Sequence, residues 1–199
     1  VIDENIEVPI QFSTKLIKYL AITRMPFTSA SILPIFVVAA YLTFTSSENI
    51  DLTNLVLCTL AILLAHLSTN MFNDYFDNID GTDTLNNGYF QQISGGSRAI
   101  ELGLISVDKT NYYAKILLLL SAIIGVVLIC NSYTDNIVPI ILIAFFGAFL
   151  GYFYTAPPIR LVARKGLGEL SIFFAFGPLM TVGAGLVLFN NNLFDSDYF

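Results

Sequence analysis

The sequence predicts an all-α integral membrane protein with five transmembrane helices, and two observations support this. Of its 199 residues, 55% are hydrophobic and only 12% are charged, whereas a soluble domain carries about a quarter charged residues. A chain of this length cannot bury so much apolar side chain in a water-soluble core. The apolar residues are also gathered into long charge-free stretches. A soluble globular protein and a disordered protein are therefore both excluded.

Five charge-free stretches are long enough to cross about 30 Å of hydrocarbon, which takes roughly 20 helical residues. Only helices and closed barrels satisfy their backbone hydrogen bonds in lipid, and barrel strands would be shorter and would alternate in polarity. Residues 1–199 therefore form one membrane domain. Its predicted spans are residues 25–47, 52–73, 116–134, 136–159 and 170–194.

The basic residues predict the orientation of these spans. All nine fall on one side of a five-span topology: Lys15, Lys18, Arg24, Arg98, Lys109, Lys115, Arg160, Arg164 and Lys165. Because cytoplasmic loops are enriched in Lys and Arg, we expect the N-terminus and the loops 74–115 and 155–169 to be cytoplasmic, in a multi-pass protein of the cell membrane. The net charge of −6 argues against a nucleic-acid partner.

A polar stripe runs along the last part of the second predicted span and continues just beyond its end. His66, Asn70, Asn73 and Asp77 are spaced by four, three and four residues, which places them on one face of a helix. Polar side chains inside a membrane helix face the bundle interior or a cavity. The stripe therefore predicts a helix face that looks into a cavity or into the bundle interior.

Four aspartates without a basic residue follow between positions 73 and 97, namely Asp74, Asp77, Asp80 and Asp83. Carboxylates crowded at a membrane mouth repel each other, and a divalent cation removes that repulsion. Mg²⁺ prefers a few carboxylates together with substrate phosphate oxygens. A solvated acidic loop without a metal is the alternative interpretation.

Two further segments are suited to anions. The first loop continues into Ser94-Gly-Gly-Ser-Arg98, where exposed backbone N–H groups and a guanidinium can bind phosphate oxygens. The second loop carries three cations in six residues, Arg160, Arg164 and Lys165. Together the acidic and basic loops look like complementary halves of a site for a metal and a diphosphate. The alternative is that these cations only anchor the topology.

These residues resemble the UbiA superfamily of membrane prenyltransferases, over nearly the whole chain. The combination is most similar to the branch that prenylates 1,4-dihydroxy-2-naphthoate in menaquinone synthesis. The motifs that carry the resemblance are Asn73-Asp-Tyr-Phe-Asp77, Gly81-Thr-Asp-Thr84, Ser94-Gly-Gly-Ser-Arg98, Tyr154-Thr-Ala-Pro-Pro158 and Gly166-Leu-Gly-Glu169.

The resemblance implies a nine-helix bundle around a central cavity, with two aspartate-rich motifs that hold Mg²⁺ and an isoprenyl diphosphate. The first motif would comprise Asn73, Asp74 and Asp77. Where the superfamily often has a further aspartate this chain has Gly81, and either Asp80 or Asp83 takes its place. The second motif is absent from this chain, so we expect a fragment of a longer enzyme.

The same likeness assigns roles to the remaining candidates. The diphosphate would be bound by Arg98, Arg160, Arg164 and Lys165. Substrate would be contacted by Arg24, Asn70 and Tyr154. The groups with catalytic roles would be Asp74, Asp77 and Arg98.

The predicted activity is Mg²⁺-dependent transfer of an isoprenyl group from a polyprenyl diphosphate to an aromatic acceptor, first of all 1,4-dihydroxy-2-naphthoate. Other aromatic acceptors remain open, such as 4-hydroxybenzoate or a haem or chlorophyll precursor. A cation transporter is a rival from a different class, but it would need polar residues deep in several spans. A non-catalytic membrane fragment is the third alternative.

Overall fold

Five helices account for most of the residues that the structure describes, and no strand occurs among those residues. The structure, a computed structural model, describes residues 18–45, 50–82, 97–132 and 134–189. The helices, each long and apolar enough to cross a membrane, are α1 (Met25–Thr45), α2 (Leu52–Ile79), α3 (Val107–Asn131), α4 (Thr134–Phe153) and α5 (Leu167–Leu188). The predicted all-α class is confirmed.

Side-chain caps and glycine set several helix starts. The Asp51 carboxylate accepts a 2.7 Å hydrogen bond from the Thr53 N–H before α2, and the Ser106 hydroxyl accepts one from the Lys109 N–H before α3. Both satisfy N–H groups that have no partner inside the helix. Before α5, Gly166 has a φ of +81°, a conformation that suits glycine.

Two helices extend beyond the predicted spans by more than one helical turn. α2 continues to Ile79 rather than ending at residue 73, and α3 begins at Val107 rather than residue 116. The predicted ends were placed at the first charges, which mark the edge of hydrocarbon. A charge does not stop a helix, because the helix propensities of Asp and Lys differ only modestly from those of other ordinary residues. The candidate site residues Asp74 and Asp77 therefore lie on a rigid helix.

α2 is the central helix, and hydrogen bonds along its length fix its antiparallel neighbour. The Ser68 hydroxyl donates to the Ala114 carbonyl, and the Ser121 hydroxyl donates to the Ala61 carbonyl, each at 2.8 Å. At the opposite end the buried Asn54 amide donates to the Val187 carbonyl at 3.3 Å. Each such bond between membrane helices contributes about 0.6–2 kcal/mol.

α5 changes its helical type in the middle. Its segment Ala175–Leu179 is π-helical and contains Pro178. Proline has no N–H to donate within a helix, which accounts for the local change of hydrogen bonding, and the Thr181 hydroxyl donates to the Gly177 carbonyl at 3.0 Å. This irregular segment lies opposite the polar stripe of α2.

Candidate active site

The polar stripe of α2 is joined to α1 at its deeper part. The Asn70 side-chain amide donates to the Thr23 carbonyl at 3.0 Å, and His66 Nδ1 lies 2.5 Å from the Ser31 hydroxyl oxygen. The two contacts lie one helical turn apart on α2. They hold the start of α1 against the face of α2 that carries the polar stripe.

At the end of α2 the acidic motif meets an arginine from the second loop. Arg160 Nη1 lies 2.9 Å from an Asp80 carboxylate oxygen, and its Nη2 lies 4.0 Å from Asp77 Oδ1. The same Nη2 donates to the Thr82 hydroxyl at 3.3 Å. All three charged side chains are partly buried. The structure therefore brings together the two loops that sequence analysis predicts to be complementary.

The backbone around Arg160 holds it in an uncommon conformation. Arg160 has a φ of 45°, and Arg24 and Arg98 also have positive φ values, of 52° and 53°. They are the only non-glycine residues with positive φ in the described ranges. This conformation costs about 1–2 kcal/mol for a residue with a Cβ. Strain of this kind concentrates at functional sites, and all three arginines are sequence-predicted site residues.

Asp74 has a different set of partners from Asp77. It is 2% exposed, and its two carboxylate oxygens accept hydrogen bonds from the backbone N–H (2.7 Å) and the hydroxyl of Ser97. Asp74 thus fixes the residue that precedes Arg98. Metal ligation by Asp74 stays a prediction.

A second bond holds the same connection close to α2. The Asn78 amide donates to a Glu101 carboxylate oxygen at 2.7 Å, and Ala99 is buried against the apolar cluster that contains Met71 and Phe72. Arg98 therefore has ordered neighbours on both sides. The glycine-rich stretch before Ser97 lies outside the described residues, as does Asp83.

The other two predicted diphosphate ligands of the second loop, Arg164 and Lys165, do not join the Arg160 cluster. Arg164 Nε donates to the Ile159 carbonyl at 2.6 Å and its Nη2 to the Pro158 carbonyl at 3.4 Å, so much of its guanidinium is used within its own loop. Lys165 is exposed. Of the second-loop cations, Arg160 is the one placed at the aspartates.

Tyr154 follows α4 directly and lies near the acidic end of α2. Burial, Glu169 and Asp77 all raise the pKa of the Tyr154 phenol above its usual value, since each disfavours the phenolate. The hydroxyl is therefore protonated at neutral pH and can donate a hydrogen bond to an anionic ligand.

Arg24 supplies a further donor beside α2. Its guanidinium carbon lies 4.5 Å from the centre of the Phe27 ring, a cation–π distance. Its Nε is buried and makes no hydrogen bond within the described part of the chain. An unpartnered buried donor is costly, so this atom is available to a bound ligand.

Sequence analysis missed three residues that the structure places at the site. Thr82 lies inside the recognised motif and its hydroxyl contacts Arg160, Ser97 is bonded to Asp74, and Ser31 is bonded to His66. Ser31 could not be found from spacing, because its partner is 35 positions away. Ser97 could have been identified by its place beside Arg98.

The donor set at the acidic end fits Mg²⁺. Asp77 and Asp80 converge on one cationic group, so their carboxylates can share a cation. No cluster of three or more His, Cys, Asp or Glu side chains occurs in residues 18–45, 50–82, 97–132 and 134–189. Two carboxylates leave coordination positions for substrate oxygens, which is the way Mg²⁺ is commonly held.

Comparison with known proteins gives consistent matches. A digeranylgeranylglyceryl phosphate synthase of Methanobrevibacter smithii is 28% identical over 163 residues, 79% of this chain and 51% of the relative. UbiA prenyltransferase domain-containing protein 1 of Dictyostelium discoideum is 29% identical over 119 residues, 58% of this chain and 33% of the relative. The chain thus spans about half of the first relative and a third of the second.

A solved structure shows the same fold. A UbiA homolog from Archaeoglobus fulgidus, bound to DMAPP and Mg²⁺, has a TM-score of 0.68 and 21% identity, covering 91% of this chain and 57% of that protein. The sequence model of the UbiA prenyltransferase family matches residues 32–193, which include all of α2 and the loop that carries Arg160. The chain therefore belongs to the UbiA prenyltransferase family.

Proposed function

We propose that the whole protein transfers an isoprenyl group from an allylic polyprenyl diphosphate to an aromatic acceptor with the help of Mg²⁺. The observation that carries the proposal is the meeting of Arg160 with Asp80 and Asp77, at 2.9 and 4.0 Å. This meeting supports the proposal because it joins a candidate diphosphate ligand to two candidate metal ligands. Family membership supplies the reaction class.

The charged residues divide between the metal and the diphosphate. Asp77 and Asp80 would hold Mg²⁺. Further candidate ligands are Asn73, which lies one turn deeper on α2, and Asp74 and Asp83. When bound, Mg²⁺ would neutralise charge on the leaving diphosphate. Arg160 and Arg98 would bind the diphosphate oxygens through charge-assisted hydrogen bonds, with Arg164 and Lys165 at the outer rim. Tyr154 would donate one more bond.

The reaction follows from this arrangement. The allylic C–O bond breaks and its electron pair leaves with the diphosphate, whose developing charge the arginines stabilise. A carbon of the electron-rich ring forms the new C–C bond and then loses its proton. The aromatic cluster of Phe72, Phe76 and Tyr152, with ring centres 5.1–6.2 Å apart, lines the end of α2 and helps to exclude water from the allylic cation.

The acceptor we favour is 1,4-dihydroxy-2-naphthoate. The proposal is supported by the likeness of the glycine-rich, Tyr154–Pro158 and Gly166–Glu169 motifs to that branch. Other aromatic acceptors, such as 4-hydroxybenzoate, remain candidates. The name of the Methanobrevibacter relative favours one further class, a glyceryl phosphate, as the second candidate acceptor.

Product analysis tests the proposal. Membranes that contain the full-length protein are incubated with Mg²⁺, an allylic polyprenyl diphosphate and, separately, each aromatic acceptor and geranylgeranylglyceryl phosphate. We expect a prenylated aromatic product that requires Mg²⁺. Product only with the glyceryl phosphate would contradict the aromatic assignment, and no product with any acceptor would contradict the enzymatic one.

A further inference from the structure

His66 is a polar group at a meeting point of three helices. Its Nδ1 lies 2.5 Å from the Ser31 hydroxyl oxygen of α1. Its ring centre lies 5.3 Å from that of Phe176 of α5, with the two planes at 69°. Edge-to-face contact at this distance is favourable for aromatic pairs. The imidazole is therefore held by one polar and one aromatic neighbour, in a helix otherwise suited to lipid.

The part of α5 that contacts His66 is not a regular α-helix. Phe176 belongs to the π-helical segment Ala175–Leu179. Such segments occur mostly as short interruptions of α-helices and are frequent at functional sites. The α5 side chain that meets His66 lies within this interruption. The local helix geometry and the ring contact are separate observations that point to the same place.

The second ring nitrogen of His66 is available to a ligand. Nε2 has no hydrogen-bond partner within the described part of the chain, and it is not among the buried unpartnered atoms. A polar group within a membrane-spanning segment is costly unless it finds a partner. Ser31 satisfies only one side of the ring, so a ligand atom that can hydrogen-bond would satisfy the other.

The depth of His66 indicates which part of a ligand would reach it. At 1.5 Å per helical residue, His66 lies about 16 Å along α2 from Asp77 and about 10 Å from Asn73. A diphosphate bound at Arg160 would occupy the first part of that distance and the reacting carbon the next. The remaining distance along α2 is long enough for one or two fused rings. An isoprenyl chain has no polar atom for Nε2, whereas a ring hydroxyl or carboxyl has one.

We propose that His66, positioned by Ser31, binds a ring oxygen of the aromatic acceptor while Phe176 packs against the ring. This inference rests on the proposed function and names the residues that select the acceptor. An acceptor without a flat ring would lose the Phe176 contact. The site therefore favours hydroxylated or carboxylated aromatic rings over a glyceryl phosphate.

Two variants of His66 and one matched control test the proposal in the full-length protein. His66→Leu removes both ring nitrogens at similar size, and His66→Gln keeps a hydrogen-bonding group. Ser68→Ala is the control, because it also removes one hydrogen bond between helices, to Ala114, but away from the stripe. Initial rates are measured with the acceptor varied at saturating diphosphate, and then the reverse.

We expect His66→Leu to raise the KM for the aromatic acceptor about tenfold, which corresponds to one lost hydrogen bond, while the KM for the prenyl diphosphate changes less than about twofold. His66→Gln should recover part of the loss, and Ser68→Ala should leave both KM values unchanged. An unchanged acceptor KM in His66→Leu, or an equal rise in both KM values, would overturn the proposal.

A binding measurement separates this inference from the proposed reaction. The fluorescent probe 1-hydroxy-2-naphthoate is titrated into wild type and His66→Leu without diphosphate. Weaker binding to the variant supports the acceptor site even if the panel yields no turnover. Absent or equal binding overturns the site, even if wild type turns over an aromatic acceptor.

Discussion

Asp74 and Asp77 lie three residues apart on α2, yet they have different partners. Asp77 faces Arg160 at 4.0 Å, whereas both oxygens of Asp74 bind Ser97. The positions in the sequence already put the two side chains on different faces of the helix. Asp77 continues the stripe of Asn70 and Asn73, whereas Asp74 lies about 100° around the helix from Asn73. Substitution by asparagine should therefore affect them differently.

Asp77→Asn should lower Mg²⁺-dependent prenyl transfer by the full-length protein on the order of a hundredfold, as when one preorganised electrostatic group is removed from a catalytic site. The amide keeps the shape but not the charge. The melting temperature in detergent should stay close to that of wild type, since fewer clustered carboxylates repel less. Asp108→Asn is the control, because Asp108 is exposed at the start of α3. Near-normal turnover would remove Asp77 from the site.

Asp74→Asn should act mainly on stability. Loss of the acceptor for the Ser97 hydroxyl and of the charge in both bonds should lower the free energy of unfolding by about 2 kcal/mol, seen as a lower melting temperature. Ser97→Ala removes the hydroxyl bond to Asp74 and the bond that this hydroxyl accepts from the Ala99 N–H, but it should give a smaller decrease because the backbone N–H bond to the charged carboxylate remains. If Asp74→Asn melts like wild type and fails only in turnover, then Asp74 acts on the metal or the substrate.

At the scale of helices, the contact between α2 and α4 depends on Gly151. A Cβ added at Gly151 would lie 2.7 Å from the Thr69 hydroxyl oxygen, whereas one added at Gly147 would meet nothing within 4 Å. The two glycines form a small-residue motif in sequence, but only Gly151 is in close contact. Small residues at such positions let membrane helices approach closely.

Gly151→Ala should destabilise the bundle by about 1–3 kcal/mol through overpacking, because the β-branched Thr69 has few alternative rotamers. Gly147→Ala should be nearly neutral. Melting curves in detergent compare the two variants. The double variant Gly151→Ala/Thr69→Ser, which retains the hydroxyl but frees its rotamer, should regain part of the loss. Equal effects at both glycines would argue against this contact.

The helices were predictable from the sequence, but their ends and the roles within the site were less so. Charge-free runs identified all five helices because hydrocarbon excludes charge, yet α2 continues past Asn73 because nothing in its sequence stops a helix there. Arg160 meets the aspartates while Arg164 donates to carbonyls of its own loop, a difference that the charge pattern of the loop does not encode. Ser31 and His66 meet only through tertiary packing.

For the whole molecule, the described basic residues gather at the end of the bundle where α2 ends and α5 begins. Hydrogen bonds from Asn70 to Thr23 and from Ser68 to Ala114 place the starts of α1 and α3 there as well. We propose that this end faces the cytoplasm, on the basis of the positive-inside rule. The proposed active site would then draw both charged substrates from the cytoplasmic side.

Cysteine labelling tests this orientation. In a Cys58→Ala/Cys130→Ser background, cysteines at the exposed positions Leu102 and Lys165 should react with an impermeant maleimide only from the cytoplasmic side. A cysteine at the exposed Thr134, the first residue of α4, should react only from the other side. Labelling of Leu102→Cys and Lys165→Cys from outside would show the opposite topology, with the site on the outer side of the membrane.

The pairing of Arg160 with Asp80 and Asp77 has a consequence for how ligands bind. The acidic end of α2 already has a counter-ion in Arg160. If Mg²⁺ binds there as proposed, it would compete with this guanidinium, and the ion pair would lower the affinity of the site for Mg²⁺ alone. A bound diphosphate would offer Arg160 a new partner and so release the carboxylates. Metal and diphosphate should therefore strengthen each other's binding by exchange of ionic partners.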